Sequence, residues 1–357
     1  MSAERESARY SRQTLLAGVG EEGQRRIQAA RAAIVGCGAL GCAAIDLCAR
    51  MGVGRLTLID RDIVELSNLQ RQCLFGESDV GQPKAVAAER RVREVNSAVR
   101  VERHVADLNY RNVARLLSLD ADPPSVILDG LDNFEARLLL NDVAVSRGIP
   151  YIYTGVVGAS GMVMPVVSRE GACLRCVVDG SPAPGEAATC DTAGVLSAAV
   201  QVAAGLAVGE ASKILVGRSG LVDRSLRAFN LWDSSWRRFG SAGLRHPECP
   251  CCVEREFASL AGRGQSAVTS LCGSDSVQVL PPEGAPLVRD LAALAESLAA
   301  AGIFEASQHM VRGELFDDSV VGGARLRLTV FADGRAVVQG TSDRARARSI
   351  VSRLLGV

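Results

Sequence analysis

The chain has 357 residues, 48% of them hydrophobic and 22% charged, which suits one large soluble domain followed by a small one. Forty basic residues balance forty acidic ones, so the composition carries no polyelectrolyte footprint for nucleic acid. The charged start MSAERESARYSRQ has no apolar core, and the most apolar stretch, Val195–Val208, falls short of the roughly 20 residues that cross a bilayer; a secretory signal and a membrane span are not expected, and the expected compartment is the cytoplasm.

In chain order, Glu21–Ala30 reads as a helix and Ala32–Val35 as a strand. A glycine turn, a helix over Ala39–Met51 and a strand over Arg55–Ile59 follow, which opens a parallel sheet. Lys84–Val95 and Arg111–Leu117 are expected helices around a strand at Arg100–His104. Val126–Asp129 is a buried-strand pattern, Phe134–Ser146 its helix, and Ile149–Thr154 and Gly161–Val167 are further strands. The stretch 171–191 turns to Cys, Pro, Gly and Ala and reads as a functional insertion. An apolar helix at Val195–Val216 and a strand near Leu226–Leu231 follow. The expected division is a nucleotide-binding domain over 1–256, a linker over 257–275, and a small C-terminal α+β domain over 276–357. In that last part Ser276–Leu280 is an expected strand, Leu287–Ala301 a helix, Arg325–Phe331 and Ala336–Gln339 a hairpin about Asp333-Gly334, and Arg344–Leu355 a closing helix.

Gly36-Cys37-Gly38-Ala39-Leu40-Gly41 is a GxGxxG turn between strand and helix, where glycines admit a phosphate and the helix N-terminus supplies free N–H groups. Asp60 ends the next strand, where a carboxylate can accept hydrogen bonds from ribose hydroxyls. Alone, these features fit NAD as well as any nucleotide. Ser67-Asn68-Leu69-Gln70-Arg71-Gln72 and Gly81-Gln82-Pro83-Lys84 then add a guanidinium and an ammonium beyond the ribose carboxylate. Such cations are better explained by a triphosphate whose leaving pyrophosphate needs its charge neutralised. Asp129-Gly130-Leu131-Asp132-Asn133 ends the fourth strand at the sheet's carboxyl edge, where a carboxylate could hold Mg²⁺ against the phosphates of ATP.

Cys173-Leu-Arg-Cys176 and Cys249-Pro-Cys-Cys252 are two CxxC hooks, enough for a closed tetrahedral Zn²⁺ site with a structural role. Cys251 offers an alternative spacing, but Cys252 matches the first hook. Cys37, Cys42, Cys48 and Cys73 read as small buried hydrophobes. Cys190 lies in the insertion, just before a helix opening near Gly194, a position that favours nucleophilicity.

Arg9-Tyr10-Ser11-Arg12-Gln13, GCGALG, Leu58-Ile59-Asp60, SNLQRQ, GQPK and Asp132-Asn133 occur in the order seen in the MoeB/ThiF family, relatives of the ubiquitin-activating enzymes. The resemblance runs from about Arg9 to Cys252 and implies a Rossmann-like ATP-binding domain with a mixed, largely parallel sheet, continued by antiparallel strands and carrying the zinc site. It further implies that Asp60 binds the ribose, that Asn68, Arg71 and Lys84 bind phosphates, and that Asp132 binds the magnesium-associated phosphates. Ser67, Leu69, Gln70 and Asn133 would line the same nucleotide. Arg12 would reach the site of a neighbouring subunit, which makes a homodimer, and Cys190 would be the candidate acceptor of the activated acyl group or sulfur.

The implied activity is adenylation of the C-terminal glycine of a small ubiquitin-like sulfur-carrier protein with a Gly-Gly end. A thiocarboxylate would follow, for a molybdenum cofactor, thiamin, thiolated tRNA or another sulfur metabolite. An activating enzyme for a tRNA-borne or small-molecule carboxylate is the nearest alternative; an NAD oxidoreductase or a zinc-fold scaffold would leave Arg71, Lys84 and Asp132 without a task. Three departures stand out: Ala39 replaces a common glycine, Ser160-Gly161-Met162 replaces a polar Gly-Gln pattern, and no CRxG-like rhodanese loop is present, so sulfur would come from a separate donor protein. The segment from Phe331 to Gly340 resembles a small extension seen on some stand-alone bacterial members.

Overall fold

Strands made of small and β-branched apolar residues set the centre of the first sheet, where every position is covered. The computed structural model describes residues 3–167, 171–178, 193–263, 267–271, 275–282, 288–316 and 326–356. They divide into two units, 1–264 and 265–357.

In the first unit, helices Ala3–Thr14 (α1) and Gly20–Ala29 (α2) precede strand Arg31–Val35 (β1), helix Ala39–Met51 (α3) and strand Arg55–Asp60 (β2). Helix Lys84–Val95 (α4), strand Arg100–Val105 (β3), the single turn Val113–Leu116 (α5), strand Val126–Asp129 (β4) and helix Phe134–Arg147 (α6) follow. Strands Tyr151–Val157 (β5) and Ser160–Val166 (β6), helix Ser197–Leu215 (α7), strands Leu226–Asn230 (β7) and Ser235–Phe239 (β8) and the short helix Ser241–Leu244 (α8) complete it. The sheet order is β3-β2-β1-β4-β5-β6-β7-β8, parallel from β3 to β5 and antiparallel beyond.

All five residues of β1 are buried because helices cover both faces, as a parallel sheet requires. Ala32 and Ile34 face one core with α3 and α7, while Ala33 and Val35 face the other with α5 and α6. Helix α7 is long and apolar enough to cross a membrane by composition. Its Ala199, Val200, Ala203, Ala207, Val208, Ala211 and Leu215 stripe instead packs into the α3 core. Its buried Glu210 is answered by Lys213 at 2.8 Å, Arg227 at 3.0 Å and the Asp223 N–H at 3.0 Å.

In the second unit, strands Val268–Leu271 (β9) and Ser276–Val279 (β10) lead to helix Leu291–Leu298 (α9). Strands Gly302–Ala306 (β11), Met310–Leu315 (β12), Arg327–Phe331 (β13) and Ala336–Gln339 (β14) follow, and helix Arg344–Leu355 (α10) closes it. The sheet is antiparallel throughout, in the order β11-β12-β13-β14-β10-β9. Val277, Val311, Leu328, Val330 and Val338 pack with Leu298, Ile350 and Val351.

The structure departs from the sequence expectations at several places: α1 and α8 were not expected, and the helix expected at Leu287–Ala301 is Leu291–Leu298. The helix at Arg111–Leu117 shrinks to Val113–Leu116, ended by Ser118 at φ +51°. Strand β8 was not expected, because SWRRF carries two arginines and only one of its edges is paired. Strands β11 and β12 were also not expected; each contains a glycine, with Glu305 in the first and Arg312 and Glu314 in the second. The stretch expected to be a linker carries β9, while its earlier residues Phe257 and Leu260 pack in the first unit's core.

The crossing of β1, α3 and the end of β4 leaves no room for side chains. A Cβ on Gly41 would lie 1.8 Å from the Gly36 carbonyl oxygen, and one on Gly130 would lie 2.2 Å from the same atom. At Gly38 the nearest neighbour would be 3.7 Å away, an ordinary contact. Gly41→Ala is therefore expected to lower the unfolding free energy in urea by about 2–3 kcal/mol, the scale of overpacking, whereas Gly38→Ala stays close to the unaltered protein.

Candidate active site

The turn after β1 is held by backbone bonds from both neighbouring strands. Gly36 N–H donates to Ile59 O and Gly130 N–H to Val35 O, each at 2.8 Å. Gly36 adopts φ +89°, which glycine alone meets without strain. Gly38 and Ala39 are the half-buried residues of the turn, the other four being buried. Helix α3 starts there without a side-chain cap and without an acidic residue in its first turn. Its positive end is thus left to an anion, and a phosphate fits that position.

Asp60, at the end of β2, is buried and accepts hydrogen bonds from Cys37 N–H and Asp62 N–H, both at 2.6 Å. The carboxylate expected to face a ribose therefore also braces the glycine turn. Burial pushes the Asp60 carboxyl up to about 6, against the pull of Lys84 and with a push from Asp62. Lys84 reaches this corner because residues on either side of Ile63 and Pro83 pair antiparallel, with Lys84 N–H on Asp62 O at 2.9 Å and Val64 N–H on Gln82 O at 2.8 Å. Its Nζ lies 3.1 Å from Asp62 Oδ2. Burial alone would lower its pKa, but Asp62, Asp60 and Asp132 together hold the ammonium above the usual lysine range.

Asp132 is exposed in the loop after β4, close enough to act electrostatically on Lys84, Arg61 and Arg137. Asn133 caps α6, its Oδ1 accepting from Ala136 N–H at 2.9 Å. Arg61 and Asp107, paired at 3.0 Å, belong to the same corner and were not singled out from sequence. Nor were Asp62 and Arg137. Asp62 sits two residues past Asp60, and that adjacency was the available signal.

The SNLQRQ segment forms a 3₁₀ turn and the residues after it. Asn68 is buried, its Oδ1 accepting from Glu65 N–H at 3.1 Å; Ser67 and Gln70 are exposed, and Leu69 packs on the first core. Arg71 is half-buried and donates to Ser67 O at 2.8 Å, within its own turn. Arg12 lies elsewhere. Its neighbours Tyr10 and Gln13 are bound to the far end of α3, with Gln13 Nε2 on Met51 O at 3.0 Å and Asn96 Nδ2 on Tyr10 Oη at 2.9 Å. Thirteen helical residues, about 20 Å, separate that end from the glycine turn, farther than an arginine side chain extends. Cys190 lies outside the described residues. Gly161 is fixed by Phe229, whose ring a Cβ there would meet at 2.3 Å, and Met162 beside it is 41% exposed.

The hooks bring Cys173, Cys176, Cys249 and Cys252 together, all four Sγ atoms within 4.8 Å of one another. Cys173 and Cys249 are 3.7 Å apart, and Cys176 and Cys252 3.5 Å. Tetrahedral Zn²⁺ with Zn–S near 2.3 Å requires about 3.8 Å between sulfurs, so the donor set fits that ion. Cys251 stays outside the group, its Sγ accepting from Asn141 Nδ2 at 3.3 Å. Cys37, Cys42 and Cys48 are buried as expected, whereas Cys73 is exposed.

A glycine turn on a parallel sheet, cations and carboxylates at its carboxyl edge, and a four-thiol staple beside α6 define a nucleotide-binding α/β enzyme of the activating type. The chain belongs to the ThiF family, whose profile matches residues 10–251, and it is an adenylyltransferase. It is 42% identical to the sulfur carrier protein ThiS adenylyltransferase of Bacillus subtilis (strain 168), over 98% of this chain and 100% of that one. It is 37% identical to the SAMP-activating enzyme E1 of Haloferax volcanii, over 69% of this chain and 88% of that one. The crystal structure of E. coli MccB with ATP shares the fold, with a TM-score of 0.59 at 23% identity, covering 68% of this chain and 74% of that one.

Two outcomes follow from this geometry. Elemental analysis is expected to find one zinc per chain, retained in Cys251→Ser and lost in Cys252→Ser. The second concerns Asp60. Its folded-state value lies above the ordinary 3.8, so the folded state binds the proton more tightly and gains stability as pH falls from about 6 to about 4. Protonation also weakens the brace on Cys37 N–H. ATP affinity measured by calorimetry is expected to fall as pH drops through about 6, and Asp60→Asn to flatten that dependence.

Proposed function

We infer that this chain uses ATP to convert the C-terminal glycine carboxylate of a small ubiquitin-like sulfur-carrier protein into an acyl-adenylate, with release of pyrophosphate. The observation that carries it is the 42% identity to the Bacillus subtilis ThiS adenylyltransferase, which runs through both units. A ThiS-type carrier ending in Gly-Gly is accordingly the proposed substrate, ahead of a tRNA-borne or small-molecule carboxylate.

In this reading the α-phosphate rests at Gly38 and Ala39 on the end of α3, and Asp60 takes the ribose. Lys84, Arg71 and Asn68 move from their present local partners onto the phosphates, and Asp132 would hold Mg²⁺, which neutralises phosphate charge. Attack by the carboxylate on the α-phosphorus needs alignment and charge neutralisation more than covalent help. Lys84 enters this step protonated, since the carboxylates around it hold it so. Arg12, too far from its own turn, serves the partner site of a homodimer. Zn²⁺ in the four-thiol site is structural, and sulfur comes from a separate donor protein in the cytoplasm, where thiols stay reduced. Cys190 acts after adenylation, as acceptor of the acyl group or sulfur.

Incubating the protein with ATP and Gly-Gly-ended carriers from the same genome is expected to add one AMP to one of them by mass spectrometry. Asp132→Ala should abolish ATP–pyrophosphate exchange, while Cys190→Ala leaves it largely intact. Exchange with no carrier adenylated would point to a different carboxylate, and equal loss in the two variants would remove the separate role given to Cys190.

A further inference from the structure

We propose that Asp129, Tyr151 and Arg137 form a buried positioning triad that fixes the loop presenting Asp132 to the nucleotide. The inference rests on Asp132 serving adenylation, as proposed above. Asp129 ends β4 with its side chain wholly buried. Its Oδ1 accepts from Leu131 N–H at 2.9 Å, and its Oδ2 accepts from Tyr151 Oη–H at 2.6 Å and faces Arg137 Nε at 3.3 Å. Arg137, on the first turns of α6, donates from Nη2 to Leu131 O and to Thr154 O, the latter at 3.1 Å. The N–H and the C=O of Leu131, the residue before Asp132, are therefore held by two members of the same ion pair.

The loop is pinned on either side as well, by Gly130 N–H on Val35 O and by the Asn133 cap of α6. Asp132 is the exposed residue of this segment; its Oδ1 accepts from Asn133 Nδ2 at 3.4 Å, and the backbone that carries it is set by buried groups. The guanidinium lies over the Phe134 and the Tyr153 rings, 5.3 Å from each centroid, contacts that add to its fixing. Burial pushes the Asp129 carboxyl up, and Arg137 and the Tyr151 hydroxyl pull it back. A buried ion pair is weak support for stability against an apolar replacement, so its value here lies in the geometry it imposes.

Exchange supported by a purified ThiS-type carrier ending in Gly-Gly separates positioning from simple packing. Tyr151→Phe keeps the ring and loses one bond to a carboxylate; kcat is expected to fall about tenfold with KM for ATP nearly unchanged. Arg137→Met should lose more than Arg137→Lys, which keeps the charge. In an Asp132→Asn background, chosen for residual activity, Tyr151→Phe should cost almost nothing further, because its effect passes through Asp132. If the two losses multiply while Asp132→Asn alone is impaired, the triad is overturned and the role of Asp132 stands. If Asp132→Asn exchanges at the unaltered rate, the assignment of Asp132 falls and the triad falls with it. A melting temperature shared by Tyr151→Phe and the unaltered protein keeps misfolding out of the comparison.

Discussion

Three backbone segments meet at Gly36, Gly41 and Gly130 with no space for a methyl group between them. That contact locks the end of β1, the first turn of α3 and the end of β4 into one unit. It aims the positive end of α3 outward and sets the 130–133 loop beside it. Asp60 extends the same unit to β2, because its carboxylate takes the Cys37 N–H. The groups assigned to the site thus stand on a frame of main-chain packing. Main-chain packing is stiff on the scale of tenths of an ångström, which is the precision that alignment of a carboxylate with a phosphorus demands.

Around that frame the charges are arranged to cancel before any substrate arrives. Lys84 rests on Asp62, Arg61 on Asp107, and Arg137 on Asp129. Pairing of this kind lets cations sit buried without forcing them to neutralise. A triphosphate offers oxygens that compete with these carboxylates for the same donors, so binding can proceed by exchange of partners. Arg71 and Asn68, engaged within their own turn, suit such an exchange. The overall balance of forty basic and forty acidic residues hides this local order.

Much of the architecture was legible because the parallel half of the sheet is buried on both faces and writes itself as continuous apolar runs. Helices Ala39–Met51, Lys84–Val95 and Arg344–Leu355 were read to the residue, each bounded by glycine, proline or an aspartate cap. Strand β8 escaped because an edge strand with exposed residues needs no apolar signature, β11 because it is a short edge strand opened by Gly302, and β12 because Gly313 interrupts its alternation. In the site, residues inside motifs could be found and residues that support them could not. Asp62 and Arg61 were marked only by standing next to Asp60, and Arg137 carries no spacing rule; their partners Lys84, Asp107 and Asp129 meet them through loops and strands that fold against one another. The placement of Arg12 away from its own turn was expected from the family resemblance alone; what the bare sequence did not carry is the docking of Tyr10 at the far end of α3.

Helix α6 explains why a thiol cluster without chemistry of its own belongs in this domain. Its first turns carry Asn133 and Arg137 at the site, and the next turn carries Asn141 and Asp142, both fully buried. Asn141 accepts from Leu174 N–H at 2.8 Å in the first hook and donates to Cys251 in the second. Asp142 takes Arg175 Nε at 2.9 Å from the first hook and Ser259 N–H at 2.8 Å from beyond the second. Two hooks far apart in sequence are thereby fastened to one helix, and a metal joining the four sulfurs would close the loop between them. A buried carboxylate such as Asp142 is costly unless its partners stay in place. Loss of the staple would therefore loosen Asp142 first, then α6, and through α6 the loop that bears Asp132. A metal held by these four sulfurs would act on the chemistry only through this helix, a task for which a closed ligand shell suffices.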